Sequence, residues 1–210
     1  MDNSMKTLVI MTGPQGAGNH LFSKALATNP SVFGWNNLLD TYWEGHDQEP
    51  FAEYWINPAK LSEFDWAVSD VFVTSISCPF IYKGIELQPN YDDFINEASK
   101  YVDVKILVIG RDVNILNHQQ NRVRGKETTH VFKESLEQVL AQHNPMFVSQ
   151  ELLYLYATPY LNSIERYIGL PQSDDDTLLE ILKDNANAKY IEPVVSYWLD
   201  EEVKIACMKK

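Results

Sequence analysis

Short apolar runs alternate with amphipathic segments along the chain. Four runs have the length and composition of buried strands, and they cover residues 8–11, 64–74, 104–109 and 145–149. Between them, apolar residues recur at helical spacing, most clearly over 129–143 and 160–168. Strands that alternate with helices in this way predict an α/β fold with a mainly parallel central sheet flanked by helices.

Local signals refine this outline. Pro30 ends the first predicted helix near residues 28–29, and residues 31–33 are a predicted short strand. Asn90 and Ser173 are predicted helix N-caps, and Gly169 is predicted to end a helix. The pattern indicates a loop over 75–89, a polar and basic stretch over 121–129 and a last helix from Asp200.

The segment 35–58 shows no clear periodicity and is rich in Trp, Tyr and Phe. Long irregular segments in compact domains are often functional. An aromatic-rich excursion that packs on the core is the structural alternative, and both interpretations stay open.

A glycine-rich turn follows the first predicted strand and opens a helix. Gly13, Gly16 and Gly18 let the backbone turn sharply, so that N–H groups and a helix N-terminus point at one place. The Gly13 to Gly18 spacing matches the Walker A motif, but Asn19 and His20 replace its Lys and Ser/Thr. This disfavours ATP or GTP hydrolysis, whereas anion binding by the backbone remains. A βα turn without a ligand is the alternative.

Composition narrows the class of protein. The 210 residues suit a single domain, 1–210, and 45% of them are hydrophobic, as in a globular protein. A net charge of -12 disfavours nucleic acid and anionic membranes as partners. The sequence has no apolar run of membrane-spanning length and only two cysteines, so we expect a cytoplasmic protein without disulfides. No pattern specifies an oligomeric state.

Three segments, in order, resemble the sulfotransferase family. The first is the glycine loop with the Asn29-Pro30 step that follows its helix. The second is the strand 105–109, which ends in Gly110-Arg111-Asp112. The third is the end of a strand followed by a four-residue motif, over 148–153. The next helix then ends in Tyr167-Ile168-Gly169-Leu170-Pro171. Together they span most of the chain.

The resemblance implies a three-layer P-loop NTPase-like fold and a reaction that needs no metal. A sulfuryl group would move from 3′-phosphoadenosine 5′-phosphosulfate (PAPS) to a hydroxyl or amine, leaving adenosine 3′,5′-bisphosphate. It implies that Arg111 pairs with the 3′-phosphate and that Gln119 replaces a Ser near it. Arg122 and Arg124 could close over that phosphate from the following loop. The loop residues would hold the phosphosulfate: Gln15, Gly16, Ala17, Gly18, Asn19, His20 and Leu21.

This sequence also departs from the family pattern. The loop Lys or Arg of the family falls on Gly16 or Gln15, so the cation at the leaving group is missing. His20, if protonated, or Lys83 could supply that charge. The alternatives are a non-catalytic binding protein on a degenerate P-loop fold, and a P-loop nucleotide-binding protein or nucleotide kinase relative.

The reaction also needs a base that takes the acceptor's proton. Among Asp40, Glu44, His46 and Asp70, the sequence favours His46 and Asp70, with a surface or structural role as the alternative for each. Asp70 lies in the second predicted strand, and a carboxylate near the end of such a strand could face a ligand crevice. The acceptor is expected to be a small molecule, a carbohydrate or a peptide.

Overall fold

The computed structural model describes residues 6–39, 45–170 and 175–183, together with 205 and 208. The strands are β1 (Thr7–Pro14), β2 (Val32–Phe33), β3 (Val71–Cys78), β4 (Phe80–Tyr82), β5 (Ile85–Leu87), β6 (Asp103–Gly110) and β7 (Met146–Ser149). The helices are α1 (Asn19–Ala27), α2 (Ala52–Ile56), α3 (Tyr91–Ala98), α4 (Val113–Arg124), α5 (Thr129–His143), α6 (Gln150–Ile168) and α7 (Asp175–Lys183). Short 3-10 helices cover Asn36–Leu39, His46–Gln48 and Pro58–Glu63. The predicted cap Ser173, the helix from Asp200 and the base candidates Asp40 and Glu44 lie outside the described residues.

A parallel sheet of five strands forms the centre of the fold, in the order β2-β3-β1-β6-β7. Side chains of β1 alternate between its two faces. Leu8 and Ile10 pack in a cluster with residues of α2, α3 and α5, whereas Val9 and Met11 pack with residues of α1, α6 and α7. Helices therefore cover both faces, and the predicted α/β fold with a mainly parallel sheet is confirmed.

The register brings the carboxyl ends of four strands to one edge. Pro14 of β1 lies opposite Cys78 of β3, and Gly110 of β6 lies opposite Ser149 of β7. Open parallel sheets bind ligands at this edge. Since β3 and β6 flank β1 on opposite sides, residues after β3 lie on one side of the glycine loop and residues after β6 on the other.

The second strand was predicted at the wrong place. β3 begins at Val71, and residues 64–70 precede it as turns. Phe64 and Trp66 made this stretch look like a strand, but they pack from the turns onto Phe72, with ring centroids 5.7 and 5.0 Å away. The 75–89 loop prediction is wrong as well, because β3 continues to Cys78 and a β4–β5 hairpin follows. The prediction failed because Ser75 and Ser77, which are buried in β3, are residues that usually indicate a loop.

Other local predictions are confirmed. The side chain of Asn90 accepts a hydrogen bond from the Asp93 N–H at 3.2 Å and caps α3, and Gly169 ends α6 with φ +80°. By contrast, the expected loop with Arg122 and Arg124 is wrong, because α4 continues to Arg124 and ends at Gly125. In segment 35–58, Trp55 is buried and stacks on Phe94 with centroids 3.7 Å apart, so much of the aromatic content is core. No helix in the described ranges is long and apolar enough to cross a bilayer.

Candidate functional site

The glycine loop makes its turn through two residues with positive φ. Gly16 has φ +88° and Gly18 has φ +117°, a region that side chains with a Cβ rarely adopt. The N–H of Ala17 donates to the Pro14 carbonyl at 3.0 Å, which closes the turn. Ala17 was expected to offer its amide to the ligand. That expectation is wrong, because this N–H is used inside the loop and Ala17 is 1% exposed.

A buried amide network fixes the loop from behind. Gln120 of α4 donates from Nε2 to the Gln15 carbonyl at 2.7 Å and accepts the Thr128 N–H on Oε1 at 2.7 Å. The Thr128 hydroxyl donates to Gln15 Oε1 at 3.2 Å. All three residues are at most 3% exposed. A satisfied buried network of this kind rigidifies the backbone it holds.

Arg111 reaches the loop from the end of β6. Its Nη1 donates to the Gly16 carbonyl at 2.6 Å and to Oε1 of Gln119, two turns along α4. A Cβ at Gly16 would lie 3.0 Å from Gln119 Oε1. This contact gives a physical reason for glycine at position 16, because Gln119 fills the space that a side chain would need. The positive charge of Arg111 lies beside the same backbone instead.

A cavity of about 940 Å³ opens over the loop. Its walls include nine of the predicted cofactor-binding residues: Gln15, Gly16, Gly18, Asn19, His20, Leu21, Arg111, Gln119 and Arg124. Arg122 does not line it, and its side chain is exposed beside it on α4. Four Lys or Arg residues line the cavity, against two carboxylates: Lys24, Lys83, Arg111 and Arg124, against Asp47 and Glu180. In a chain of net charge -12, this local excess of cations favours an anion over a cation as the ligand.

Two buried amide side chains line the cavity with polar atoms that have no hydrogen-bond partner in the described part of the chain. Both Nδ2 and Oδ1 of Asn19 are such atoms, as is Oε1 of Gln150. The residues are 6% and 3% exposed. Buried polar groups are nearly always bonded, so these atoms favour a polar ligand or ordered water at this place.

Sequence reasoning missed Gln150 and Lys24. Gln150 directly follows β7 at the carboxyl edge of the sheet, and that position was its available signal. Lys24 lies within α1, and no local pattern distinguishes it from the other residues of that helix. Its place in the cavity lining could therefore not be predicted.

His46 lies on the β3 side of the loop, in a cluster of rings. Its ring centroid is 5.5 Å from that of His20 and 5.7 Å from that of Trp35. Its Nε2 lies 3.3 Å from the Ser77 hydroxyl, and its Nδ1 has no partner among the described residues. Burial, with the charges of His20 and Arg124, lowers the pKa of His46 to about 3. The ring is therefore neutral at pH 7, and the same burial makes it a weaker proton acceptor than a free imidazole.

Glu49 attaches the segment of His46 to the sheet. Its carboxyl group accepts the Phe51 N–H at 2.9 Å and the Ser75 N–H at 3.3 Å. Among the described residues, β2 pairs with β3 only at Val71 and Phe72, and Glu49 accepts the Ser75 N–H farther along β3. Glu49 is 4% exposed, and burial raises its pKa to about 8.

Asp70 does not belong to this site. It precedes β3, at the amino edge of the sheet, and its carboxylate pairs with Lys6 Nζ at 3.0 Å. The loop follows β1 at the opposite edge. The prediction of Asp70 as a base is therefore wrong: it relied on a strand placed too early, which put the residue near the strand's end.

No group of three His, Cys, Asp or Glu side chains in the described residues is arranged as a metal site. The expectation that the reaction needs no metal stays a prediction.

The comparisons with known proteins bear on the fold. No protein-family model matches the chain, and no curated protein matches it. Among solved structures, the sulfotransferase domain of the Synechococcus PCC 7002 olefin synthase superposes with a TM-score of 0.52 at 12% identity, over 88% of this chain and 80% of that one. Mouse sulfotransferase SULT7A1, complexed with PAP, gives a TM-score of 0.46 at 12% identity, over 84% of this chain and 63% of that one. With the sheet order and the loop, the first likeness shows that this chain has a sulfotransferase-like α/β fold.

Proposed function

We propose that this protein is a sulfotransferase that uses PAPS and transfers its sulfuryl group to a hydroxyl or amine. One observation carries the proposal: Arg111, from the end of β6, bonds the glycine loop at Gly16 beside a cavity that collects four cations. The loop and the arginine are far apart in sequence, and together they form a site for a ligand with more than one anionic group.

The residues present fit such a cofactor. The loop residues at the start of α1 place backbone N–H groups at a helix N-terminus, where an anion is stabilised. Asn19 Nδ2 adds a buried donor that lacks a partner among the described residues. In the proposal, the loop and Asn19 hold the phosphosulfate, and Arg111 with Gln119 holds the 3′-phosphate. When bound, PAPS supplies the sulfuryl group and the phosphosulfate linkage that breaks.

The chain's own chemistry consists of positioning, charge stabilisation and proton transfer. In the proposal, His46 would take the proton of the acceptor hydroxyl, while the loop and Arg111 would hold the cofactor whose phosphosulfate linkage breaks. The role rests on position: His46 lines the cavity, and its Nε2 lies 3.3 Å from the Ser77 hydroxyl, which orients the ring. Lys24 and Arg124 line the cavity, and in the proposal they supply the positive charge that stabilises the leaving group in place of the missing loop cation.

Calorimetric titration with adenosine 3′,5′-bisphosphate tests the cofactor assignment. We expect wild type to bind and Arg111→Ala to bind about 10- to 100-fold more weakly, because a hydrogen bond to a charged group contributes about 1.5–3 kcal/mol. Arg166→Ala is the matched control, since Arg166 is exposed on α6 and bonds its own helix at the Asn162 carbonyl, 3.2 Å away. Equal binding by Arg111→Ala and the control would contradict the assignment.

The same titration with ATP and Mg²⁺ separates this proposal from a nucleotide kinase relative. The loop has no Lys for the β- and γ-phosphates and no Ser or Thr for Mg²⁺. We expect adenosine 3′,5′-bisphosphate to bind at least tenfold more tightly than ATP with Mg²⁺. The reverse order would favour the kinase relative.

A further inference from the structure

The cavity has a second wall, on the β3 side, that the cofactor assignment leaves unused. β3 and β6 flank β1 on opposite sides, so Arg111 lies on one side of the loop and the residues after β3 lie on the other. That second side carries His46, Ser77 and the β4–β5 hairpin, which contributes Ile81, Lys83 and Gly84 to the lining. In the proposed reaction, the acceptor enters here, because the base is here.

The hairpin turn holds a lysine in an unfavourable backbone conformation. Tyr82 pairs with Ile85, and the two residues between them have positive φ, +48° at Lys83 and +80° at Gly84. Two-residue turns of this kind favour Asn, Asp or Gly at the first position. A lysine at φ +48° is uncommon, and such outliers often mark a functional constraint.

Two exposed aliphatic side chains line the same cavity as Lys83. Ile81 is 46% exposed and Leu39 is 41% exposed, and both line the cavity with Lys83. Lys83 Nζ lies 5.2 Å from the Tyr82 ring centroid, next to the turn, and its charge also acts on the Glu53 carboxylate. One cation and two exposed aliphatic side chains in the lining of the same cavity are complementary to a molecule with an apolar body and an anionic group.

We propose that the acceptor is a hydroxylated molecule with an apolar body and a carboxylate, which Lys83 pairs with while Ile81 and Leu39 contact the body. This inference rests on the proposed function and adds the acceptor class. It also assigns Lys83 to the acceptor and not to the missing loop cation.

Three matched phenols test it by NMR-detected titration, with and without saturating adenosine 3′,5′-bisphosphate. They are 3-(4-hydroxyphenyl)propanoate, its amide, and 4-(3-aminopropyl)phenol. We expect wild type to bind the carboxylate about tenfold more tightly than the amide, and the amine most weakly. Lys83→Asn should lose this preference and keep its affinity for adenosine 3′,5′-bisphosphate. Because Asn tolerates positive φ, the variant should also melt about 1–3 °C higher than wild type.

Lys133→Gln is the control for loss of one positive charge, since Lys133 is exposed on α5 and does not line the cavity. It should retain the carboxylate preference. A wild type that does not distinguish the three phenols, or binds none, would overturn the inference. Equal loss of phenol and adenosine 3′,5′-bisphosphate binding in Lys83→Asn would also overturn it and place Lys83 at the cofactor. If wild type fails to bind adenosine 3′,5′-bisphosphate, the proposed function fails, and the titrations without it still decide the acceptor class.

Discussion

The contribution of Glu49 to the unfolding free energy should decrease as the pH rises. The pKa of its carboxyl group is raised from 4.5 to about 8 by burial, and the carboxyl accepts the N–H groups of Phe51 and Ser75. Between these two pH values, the folded protein keeps a proton that the unfolded chain has released. The contribution is therefore fully present below pH 4.5 and is lost as the pH rises through about 8.

The size of the effect follows from the pKa difference. Each pH unit between the two pKa values costs about 1.4 kcal/mol of unfolding free energy, so about 2–3 kcal/mol is lost between pH 5 and pH 7. That is a large part of the roughly 5–15 kcal/mol by which a typical domain is stable. Glu49→Gln removes the titration. It also leaves one of the two N–H groups without an acceptor, at a cost of about 1–3 kcal/mol at every pH.

Urea unfolding of wild type and Glu49→Gln, measured from pH 5 to pH 8, isolates this group because the other carboxyl groups are common to both. We expect Glu49→Gln to have a lower unfolding free energy than wild type at pH 5. The difference should shrink as the pH rises, so that the variant is equally or more stable near pH 8. Glu134→Gln, on the exposed face of α5, should differ from wild type by a nearly constant amount. A constant difference for Glu49→Gln would refute the reasoning, because the carboxyl group would then ionise alike in both states.

Three further substitutions test the loop and the base. Gly16→Ala places a Cβ at φ +88°, 3.0 Å from Gln119 Oε1, and should destabilise the fold by about 1–3 kcal/mol and weaken adenosine 3′,5′-bisphosphate binding in calorimetry. Gln120→Leu leaves two buried backbone groups unbonded and should cost about 2–4 kcal/mol in urea unfolding; a cost below about 1 kcal/mol would show that the network does not hold the loop. His46→Ala should lower the rate of sulfuryl transfer about 10²- to 10⁴-fold with unchanged adenosine 3′,5′-bisphosphate affinity, and an unchanged rate would exclude His46 as the base.

Local chemistry made part of this structure predictable. Gly16 and Gly18 indicated the turn, and Asn90 and Gly169 indicated helix ends, because each acts on its own neighbours. The apolar run of β6 was placed within one residue at each end for the same reason.

The remainder depends on contacts between distant residues. Gln120 bonds Gln15 across 105 positions, and Glu49 bonds Ser75 across 26, and neither pair has a local pattern. The start of β3 was misplaced because Phe64 and Trp66 bury their rings without strand geometry. Arg111 was predicted to hold a phosphate, but its bond to Gly16 became visible only in the fold.

A crystal structure with adenosine 3′,5′-bisphosphate, grown without Mg²⁺, tests the central claim most directly. The account predicts one phosphate at the start of α1, within about 3.2 Å of backbone N–H groups of residues 18–20, and the other within that distance of the Arg111 guanidinium. Nucleotide bound elsewhere, or no bound nucleotide at a saturating concentration, would contradict the claim that this loop and this arginine form a cofactor site.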